Sequence, residues 1–500
     1  MHRITADRPW PLHDVAGTRA MEQALAAALA PHTLMQRAGL AVARLVLATA
    51  PHAHTIWIAC GPGNNGGDGM VAALHLRRWG KNPVLTWLGS ASQTPADAAA
   101  AYQAALQAGV SFSECPPERF DCCIDALFGI GLAKPGTTRL PNPRLADWVA
   151  RINQHAAPVL AVDLPSGLWA DTGFAPAGSV RAHTTLSLLT LKPGLFTADG
   201  RDAAGQVWFD DLRDHRGEGT AMSPAGVQLQ SIDGPPSAWL LGPPRSVPRL
   251  HASHKGSFGD VAVVGGAAGM TGAALLAATA ALYGGAGRVF VALLDGTSMA
   301  VDPTQPELMF RAPDDLDLAH TTVACGCGGA EAIRGHLSKL LSVVPRMVID
   351  ADAINIIATE VQLQRLLEAR GARRRDTVLT PHPLEAARLM GVSTATVQGD
   401  RLAAARQLCE RFACTVVLKG SGTVIAAPGE VAAINATGNA RLATAGTGDV
   451  LAGMIAAELA RGASAFLSAC SAVYRHGLCA DRWPEAQTLV ASSLARRCVV

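Results

Sequence analysis

Thr55-Ile56-Trp57-Ile58-Ala59-Cys60 runs directly into Gly61-Pro62-Gly63-Asn64-Asn65-Gly66-Gly67-Asp68-Gly69. The first six residues are apolar without alternation, as in a strand buried on both faces of a parallel sheet. After the glycine-rich loop, residues 70–79 carry apolar side chains at helical spacing, which predicts a helix. Strand, glycine loop and helix in that order open a βαβ unit. Glycines let a ligand approach the backbone, and a helix N-terminus attracts negative charge, so a phosphate-bearing ligand is expected at this loop. A tight turn with Asp68 capping the helix is the local alternative. Five glycines and two asparagines between Cys60 and Gly69 favour the ligand. The loop is not a G-x-G-x-x-G fingerprint, and no Lys-Ser/Thr follows to make a Walker loop.

The same alternation extends outward. Helices are expected at 18–30, 33–50 and 95–108, and strands at 83–88, 122–127, 159–162 and 184–189. Connections of this length imply right-handed crossovers and a doubly wound sheet. Periodicity lapses between 213 and 239, where Gly234-Pro235-Pro236-Ser237 reads as linker. A second α/β pattern starts near Ser257. Its strands are expected at 260–264, 288–292, 322–324, 347–349, 377–379 and 415–418. Its helices are expected at 272–282, 361–369, 402–412, 449–461 and 463–481. The division is a first domain at 1–220, a linker at 221–239 and a second domain at 240–500.

Composition narrows the class. A chain of 500 residues is too long for one ordinary core. Hydrophobic residues are 49% and charged residues 16%, which excludes a disordered chain. Lys+Arg 42 against Asp+Glu 40 leaves a net charge of +2, too little to hold nucleic acid or an anionic membrane. The 11 cysteines include no Cys-x-x-Cys pair, so zinc is not expected. Their odd number, with no apolar leader at the start, fits reduced thiols in a cytoplasm. Residues 261–287 carry no charge and are long enough for a membrane span. Glycines interrupt the first part, so a buried strand, a turn at 265–272 and a buried helix are expected instead.

In the first half, Asp125 ends a strand before Ala126-Leu127-Phe128-Gly129-Ile130-Gly131. An Asx turn is an equally good local account of Asp125. Asp163-Leu164-Pro165-Ser166 closes the next strand. Strand ends form the ligand crevice of open α/β sheets, so Asn65, Asp125, Asp163 and Ser166 are expected to meet there. Their oxygens suit a hard cation.

These three segments, CGPGNNGGDG, DALFGIGL and DLPSGL in that order, resemble the NAD(P)H-hydrate epimerase family, also called the YjeF N-terminal domain. The resemblance covers about residues 15–215, with Ile130 standing where the family often has Thr. It implies a Rossmann-like three-layer sandwich and a potassium ion held by Asn65, Asp125 and Ser166. It implies hydrate contacts from Asn64, Asn65, Gly66, Gly67 and Asp68, from Gly129, Ile130, Gly131, Leu132, Ala133, Lys134 and Pro135, and from Asp163. Asp163 is the expected acid/base.

In the second half, Ala445-Gly446-Thr447-Gly448-Asp449 opens an apolar helix. Amides at such a turn stabilise phosphoryl charge, and an adjacent Asp can deprotonate an attacking hydroxyl. An N-cap Asp behind a glycine turn is the local alternative. Val417-Leu418-Lys419-Gly420-Ser421-Gly422-Thr423-Val424 reads as strand–turn–strand, offering amides and a cation to nucleotide phosphates. An ordinary hairpin is its alternative.

With His254-Lys255-Gly256-Ser257-Phe258-Gly259, Gly269 to Ala274, Val348 to Asn355 and Thr380-Pro381-His382-Pro383, these motifs are similar to the ADP-dependent NAD(P)H-hydrate dehydratase family. The similarity covers about 240–495 and implies a ribokinase-like α/β domain. Two departures stand out: the family's Gly-Pro-Gly-Leu-Gly turn is Ala324-Cys325-Gly326-Cys327-Gly328 here, and Leu384 replaces a usual Gly. The similarity implies substrate contacts from Ala273, Gly328, His382 and Asp449, with Asp449 as the base. Taken alone His382 reads better as a satisfied core histidine, but between two prolines in this motif substrate contact is expected. It further implies nucleotide contacts from Lys419, Gly420, Ser421, Gly422, Thr423 and Gly448, with magnesium and ADP as co-substrate.

Together the halves imply an isomerase and a lyase that repair hydrated NADH and NADPH (NADHX and NADPHX). The first epimerises the hydrate at C6, and the second dehydrates the S epimer as ADP becomes AMP and phosphate. A cytoplasmic homo-oligomer without nucleic-acid or membrane partners is expected. The alternative is a ribokinase-like small-molecule kinase fused to a nucleotide-binding regulatory module.

Overall fold

The computed structural model describes residues 1–90, 93–131, 143–213, 234–245, 250–296 and 299–497. The chain forms two compact units: Met1–Thr5 with Pro11–Ala238, and Ala6–Trp10 with Trp239–Val500. Residues 221–233 of the expected linker lie outside the described residues. Ala238–Leu240, at its far end, is a strand whose Trp239 and Leu240 pair with Ala433 and Ile434.

The first unit is built on one sheet. Its strands lie in the order His2–Arg3, Gln206–Asp210, Thr184–Leu188, Val159–Val162, Cys122–Ala126, Thr55–Cys60, Asn82–Trp87 and Ser111–Ser113. All neighbours are parallel except the first pair. From Thr55–Cys60 the chain moves to one side, through Asn82–Trp87, and then crosses to Cys122–Ala126 on the other. That reversal opens a crevice at the carboxyl ends of the two central strands. Ile56, Trp57, Ile58, Ala59 and Cys60 are all fully buried, as the unbroken apolar run requires.

The helix after this strand is Asn64–Arg78, beginning six residues before the expected Met70. Gly63 is its cap residue, and Asp68 lies inside the helix rather than capping it. Glycine and asparagine are poor helix formers, so their propensity hid this first turn. Packing overrides it: a Cβ on Gly66 would sit 2.1 Å from the Gly61 carbonyl oxygen, and one on Gly67 2.6 Å from Met35 Cε.

The second unit repeats the scheme. Its strands run Met309–Phe310, Arg288–Leu294, Asp260–Ala267, Thr322–Cys325, Met347–Ile349, Thr377–Leu379 and Thr415–Leu418 in parallel. Val424–Ala426 and Ala433–Ile434 continue it antiparallel. The reversal of chain order lies at Asp260–Ala267 and Thr322–Cys325. Residues 261–287 thus form a strand, Asp260–Ala267, and a helix, Thr271–Tyr283, with the strand taking Gly265 and Gly266 from the expected turn. Among the described residues no helix is long and apolar enough to cross a membrane. Thr447–Ala460 is buried along nearly its whole circumference, and a Cβ on its Gly453 would lie 2.0 Å from the Ala277 carbonyl oxygen. This close packing on Thr271–Tyr283 fixes where the helix begins, and therefore where Asp449 stands.

Candidate active sites

In the first unit a cavity of about 660 Å³ opens at the sheet reversal. Asn64, Asn65 and Asp68 reach it from the helix start, Gly129, Ile130 and Gly131 from the loop after Cys122–Ala126, and Asp163 from the end of Val159–Val162. Gly66 and Gly67 do not line it; their missing side chains serve the close packing described above. Leu132, Ala133, Lys134 and Pro135 lie outside the described residues.

Asp163 has a left-handed backbone, φ 68°, a strained conformation for a residue with a side chain. Its Oδ1 forms an ion pair with the buried ammonium of Lys192 and accepts the Leu188 N–H at 3.3 Å. Lys192 also donates to the Leu188 carbonyl at 2.7 Å. Oδ2 faces Gly129: a Cβ there would lie 3.0 Å from it and 3.2 Å from Asn65 Oδ1. One carboxylate oxygen is therefore held by lysine and the other stays open beside the Asn65 amide. Two further carboxyls, of Glu22 and Asp68, line the cavity and are pushed above their ordinary range by burial first and by the Asp163 charge second.

Asp125 and Ser166 sit beneath this floor, both fully buried. Ser166 gives Asp125 its hydroxyl at 2.6 Å and its backbone N–H at 2.8 Å. The Leu127 N–H reaches Asp125 Oδ1 at 3.2 Å, so the local Asx turn and the crevice contact coexist. The Phe128 N–H donates to Ser166 Oγ at 2.9 Å, which ties the following loop to the pair. Burial raises Asp125 to about 6 against these hydrogen bonds. The donor set fits a hard monovalent cation: one carboxylate, one hydroxyl and the Asn65 amide oxygen. Among the described residues Asn65 Nδ2 is buried without a hydrogen-bond partner, so none of them commits that amide elsewhere.

In the second unit the candidate residues again follow strand ends. Asp350, after Met347–Ile349, is buried and accepts hydrogen bonds on Oδ1 from Thr380 Oγ1 at 2.6 Å and Lys419 Nζ at 2.7 Å. Lys419 follows Thr415–Leu418, and Gly448 has no side chain to crowd it: a Cβ would stop 3.5 Å from Nζ. The amides that open the helix Thr447–Ala460 have no partner within the helix. Thr447 is anchored by its hydroxyl, which is 2.8 Å from the Leu442 carbonyl and 3.0 Å from the Thr444 carbonyl, and by its own carbonyl, which accepts from His476 Nε2 at 3.0 Å. Burial lowers His476 to about 4, which keeps it neutral.

Asp449 lies in the first turn of that helix, with Gly446 as the cap residue, so it is not an N-cap. Burial, followed by the Asp350 charge, raises its carboxyl to about 6. Gly328 packs on Ala273, where a Cβ would come within 2.8 Å of the Ala273 methyl. Gly420, Ser421, Gly422 and Thr423 form the turn between antiparallel strands, with Thr423 Oγ1 donating to the Gly420 carbonyl at 3.2 Å. His382 is neither in the core nor idle. It is half-exposed and caps the helix Pro383–Met390, its Nδ1 accepting the Leu384 N–H at 3.1 Å. His254 likewise caps the short helix Lys255–Phe258. Lys192, Glu22, Thr380 and Asp350 had no assigned role in the sequence motifs, yet each touches or flanks a candidate carboxylate.

Two family models match the chain: YjeF-related protein N-terminus over residues 31–194, and NAD(P)H-hydrate dehydratase over residues 261–498. A bifunctional NAD(P)H-hydrate repair enzyme of Escherichia coli K12 is 36% identical over 461 residues, covering 90% of this chain and 85% of its own length. A Vibrio cholerae protein of the same name is 37% identical over 463 residues, 90% of this chain and 88% of its own. An ADP-dependent (S)-NAD(P)H-hydrate dehydratase of Neisseria meningitidis is 44% identical over 254 residues, 49% of this chain and 84% of its own. A crystal structure of the Bacillus subtilis ADP/ATP-dependent dehydratase, co-crystallised with ATP/Mg2+, aligns at 31% identity and TM-score 0.43 over 50% of this chain and 91% of its own.

Proposed function

The chain belongs to the bifunctional NAD(P)H-hydrate repair enzymes, and from that premise we propose how its two units divide the work. The protein is both an NAD(P)H-hydrate epimerase and an ADP-dependent (S)-NAD(P)H-hydrate dehydratase. Residues 1–220 carry the epimerase and 240–500 the dehydratase. The observation that carries this division is a carboxylate at each sheet reversal, built into different chemistry: Asp163 paired with a buried lysine, Asp449 at an amide-rich helix start.

Epimerisation needs the C6 hydroxyl to leave as water and water to return on the opposite face. Asp163 Oδ2, open beside Asn65, moves that proton, while Lys192 holds Oδ1. Asn64, Asn65, Asp68 and the Gly129–Gly131 loop position the hydrate. Asn65, Asp125 and Ser166 would hold potassium, whose charge would order the Phe128 loop around the substrate.

Dehydration begins with phosphorylation of the same hydroxyl, because hydroxide is a poor leaving group. Asp449 takes the hydroxyl proton as that oxygen bonds the β-phosphorus of ADP and the bond to AMP breaks. The helix-start amides up to Gly448, with Lys419 and the 420–423 turn, hold the phosphates, and magnesium arrives with the nucleotide. The ring nitrogen then expels phosphate from C6 as C5 loses a proton, restoring the dihydropyridine. Gly328, Ala273 and His382 contact the hydrate. The enzyme works in the cytoplasm as a homo-oligomer.

The test is absorbance at the dihydronicotinamide band with mixed-epimer NADH hydrate, magnesium, potassium and ADP. Full recovery of NADH, beyond the share of one epimer, is the expected result. Recovery that stops at one epimer's share overturns the epimerase assignment, and no recovery overturns both in favour of a small-molecule kinase.

A further inference from the structure

We propose that His476 is a positioning residue for the phosphoryl-transfer step: its ring N–H holds the Thr447 carbonyl, and so aims and strengthens the Gly448 N–H at the other end of the same peptide group. The inference rests on the reading that the helix-start amides hold the moving phosphoryl. His476 Nε2 lies 3.0 Å from the Thr447 carbonyl oxygen. A carbonyl can only accept, so Nε2 carries the ring hydrogen. The histidine belongs to the helix Ala465–Asp481 and is only 7% exposed. Burial lowers its ring to about 4, so it donates as a neutral imidazole.

Packing fixes where this ring stands. A Cβ on the next residue, Gly477, would lie 2.3 Å from Thr437 Oγ1, so the helix presses closely on the segment that leads into the turn. Thr437 donates its hydroxyl to the Tyr474 carbonyl at 2.9 Å, and Asn439 Nδ2 donates to the Ala480 carbonyl at 3.0 Å. The Gly438 N–H donates to Asp481 Oδ2 at 2.8 Å. His476 therefore lies between bonded residues on its own helix. Across from it, the Thr447 hydroxyl ties the helix start back to the carbonyls of Leu442 and Thr444. Donor and acceptor are each held by contacts other than the one they make together.

The consequence follows from the peptide group. In a trans peptide the C=O and the N–H point in opposite directions, so a donor fixed behind the Thr447 oxygen sets where the Gly448 N–H points. A hydrogen bond accepted by the carbonyl also polarises the peptide, which makes its N–H the stronger donor. The carbonyl has two lone pairs, so its place in the helix ladder does not compete with the histidine. Gly448 stands beside the Lys419 ammonium, 3.5 Å from where a Cβ would lie, so this amide and a cation are neighbours. An amide that is aimed before the nucleotide arrives needs no reorganisation as charge develops on phosphorus.

The experiment uses the full chain and compares His476→Met, which loses the donor, with His476→Gln, whose amide nitrogen reaches about as far as Nε2. The readouts are kcat for dehydration of the S epimer at saturating ADP, and the ADP dissociation constant by calorimetry. Removing a whole oxyanion donor costs about 100-fold to 1,000-fold, so weakening one from behind should cost about tenfold in kcat. His476→Met therefore loses about tenfold in kcat while ADP binding stays within about twofold, and His476→Gln recovers most of the rate. Epimer exchange by the first unit, measured in the same samples, standardises the amount of active protein. Should methionine prevent folding, judged by loss of ADP binding, His476→Asn repeats the contrast with an amide too short to reach. An unchanged kcat without the donor overturns the proposal. So does a loss that glutamine shares equally, or one that falls on kcat and ADP binding together, because a merely structural histidine would give either. Gly448→Pro, which removes the N–H within the first helical turn where proline is tolerated, is run beside them. Near-normal turnover of that variant fells the reading of the helix-start amides itself, whereas its collapse with an unmoved His476 series fells only the role of the histidine.

Discussion

Asp163 closes a strand of one sheet and Asp449 lies in the first turn of a helix, and their surroundings treat charge in opposite ways. Asp163 meets its cation directly, since Lys192 Nζ pairs with Oδ1 and is itself fully buried. The aspartate itself sits on a left-handed backbone, φ 68°. Asp449 has its cation one step removed. Lys419 bonds Asp350, and a carboxylate oxygen of Asp350 lies within 4.8 Å of one of Asp449. The first arrangement fixes a charge and leaves one oxygen to work. The second leaves the carboxyl near neutrality, pushed up to about 6, where small changes in its neighbours alter its protonation. A group that must shuttle one proton both ways in epimerisation gains from a fixed partner. A base that acts once per turnover gains from a matched proton affinity.

Removing Lys192 should expose this contrast most strongly. Lys192→Met strands the Asp163 carboxylate beside the protein interior without its partner. Breaking a buried pair from one side costs about 3–5 kcal/mol. Chemical denaturation should show that loss in the first unit, with dehydration of the pure S epimer by the second unit retained. Adding Asp163→Asn to Lys192→Met should restore part of the stability, because no uncompensated charge remains. Unchanged stability in the single variant would mean that the ion pair does not hold this segment together.

Asp449→Asn is the next largest effect. It should lower dehydration at least ~100-fold, the usual contribution of a general base, while epimer exchange continues. The wild-type pH profile carries the finer comparison. A base works only when deprotonated, so dehydration should rise with pH up to about 6 and then level off. Stopped-time measurement of NADH formation from the S epimer at saturating ADP decides it. A profile flat through that region would show that Asp449 does not take the proton.

How far these sites can be read from residues alone differs between backbone and side chain. The strands Thr55–Cys60, Val159–Val162, Met347–Ile349, Thr377–Leu379 and Thr415–Leu418 begin and end at the residues their apolar runs predict. Short buried strands announce themselves, because they carry almost no charge and few polar side chains. The glycine loops mark the ligand crevices for a similar reason, since only glycine tolerates the close approaches there. The start of Asn64–Arg78 stayed hidden, because local propensity argues against a helix that tertiary packing imposes. Lys192 stayed hidden too. Its partner lies 29 residues away, and its one local signal is that it is the only charged residue from Leu186 to Leu195. Glu22 sits in an alanine-rich helix where nothing marks one glutamate from another solvent-facing residue. Asp350 was visible in its motif, but its role depends on Thr380, Lys419 and Cys327 arriving from three other strand ends.

The smallest expected effect tests the open oxygen of Asp163 without touching its charge. Gly129→Ala adds a methyl group 3.0 Å from Asp163 Oδ2 and 3.2 Å from Asn65 Oδ1. Both contacts are tighter than an ordinary van der Waals approach, so the neighbours must give by a few tenths of an ångström. Asp163 cannot yield easily, because Oδ1 is held by Lys192 and its backbone is already strained. Asn65 has the looser side chain, with Nδ2 unpartnered among the described residues, and should take up the displacement. A full ångström of misplacement costs on the order of 100-fold in rate, so a few tenths should slow epimerisation about threefold to tenfold. Stability should hold, since the methyl group enters the cavity side of the loop. No equivalent loss should appear in dehydration, where Gly448 leaves the Lys419 ammonium an ordinary 3.5 Å of clearance and the base is tuned by charge instead of by a crowded floor. Equal slowing of both reactions would mean that the methyl group acts through the whole chain, and that Oδ2 is not the oxygen that moves the proton.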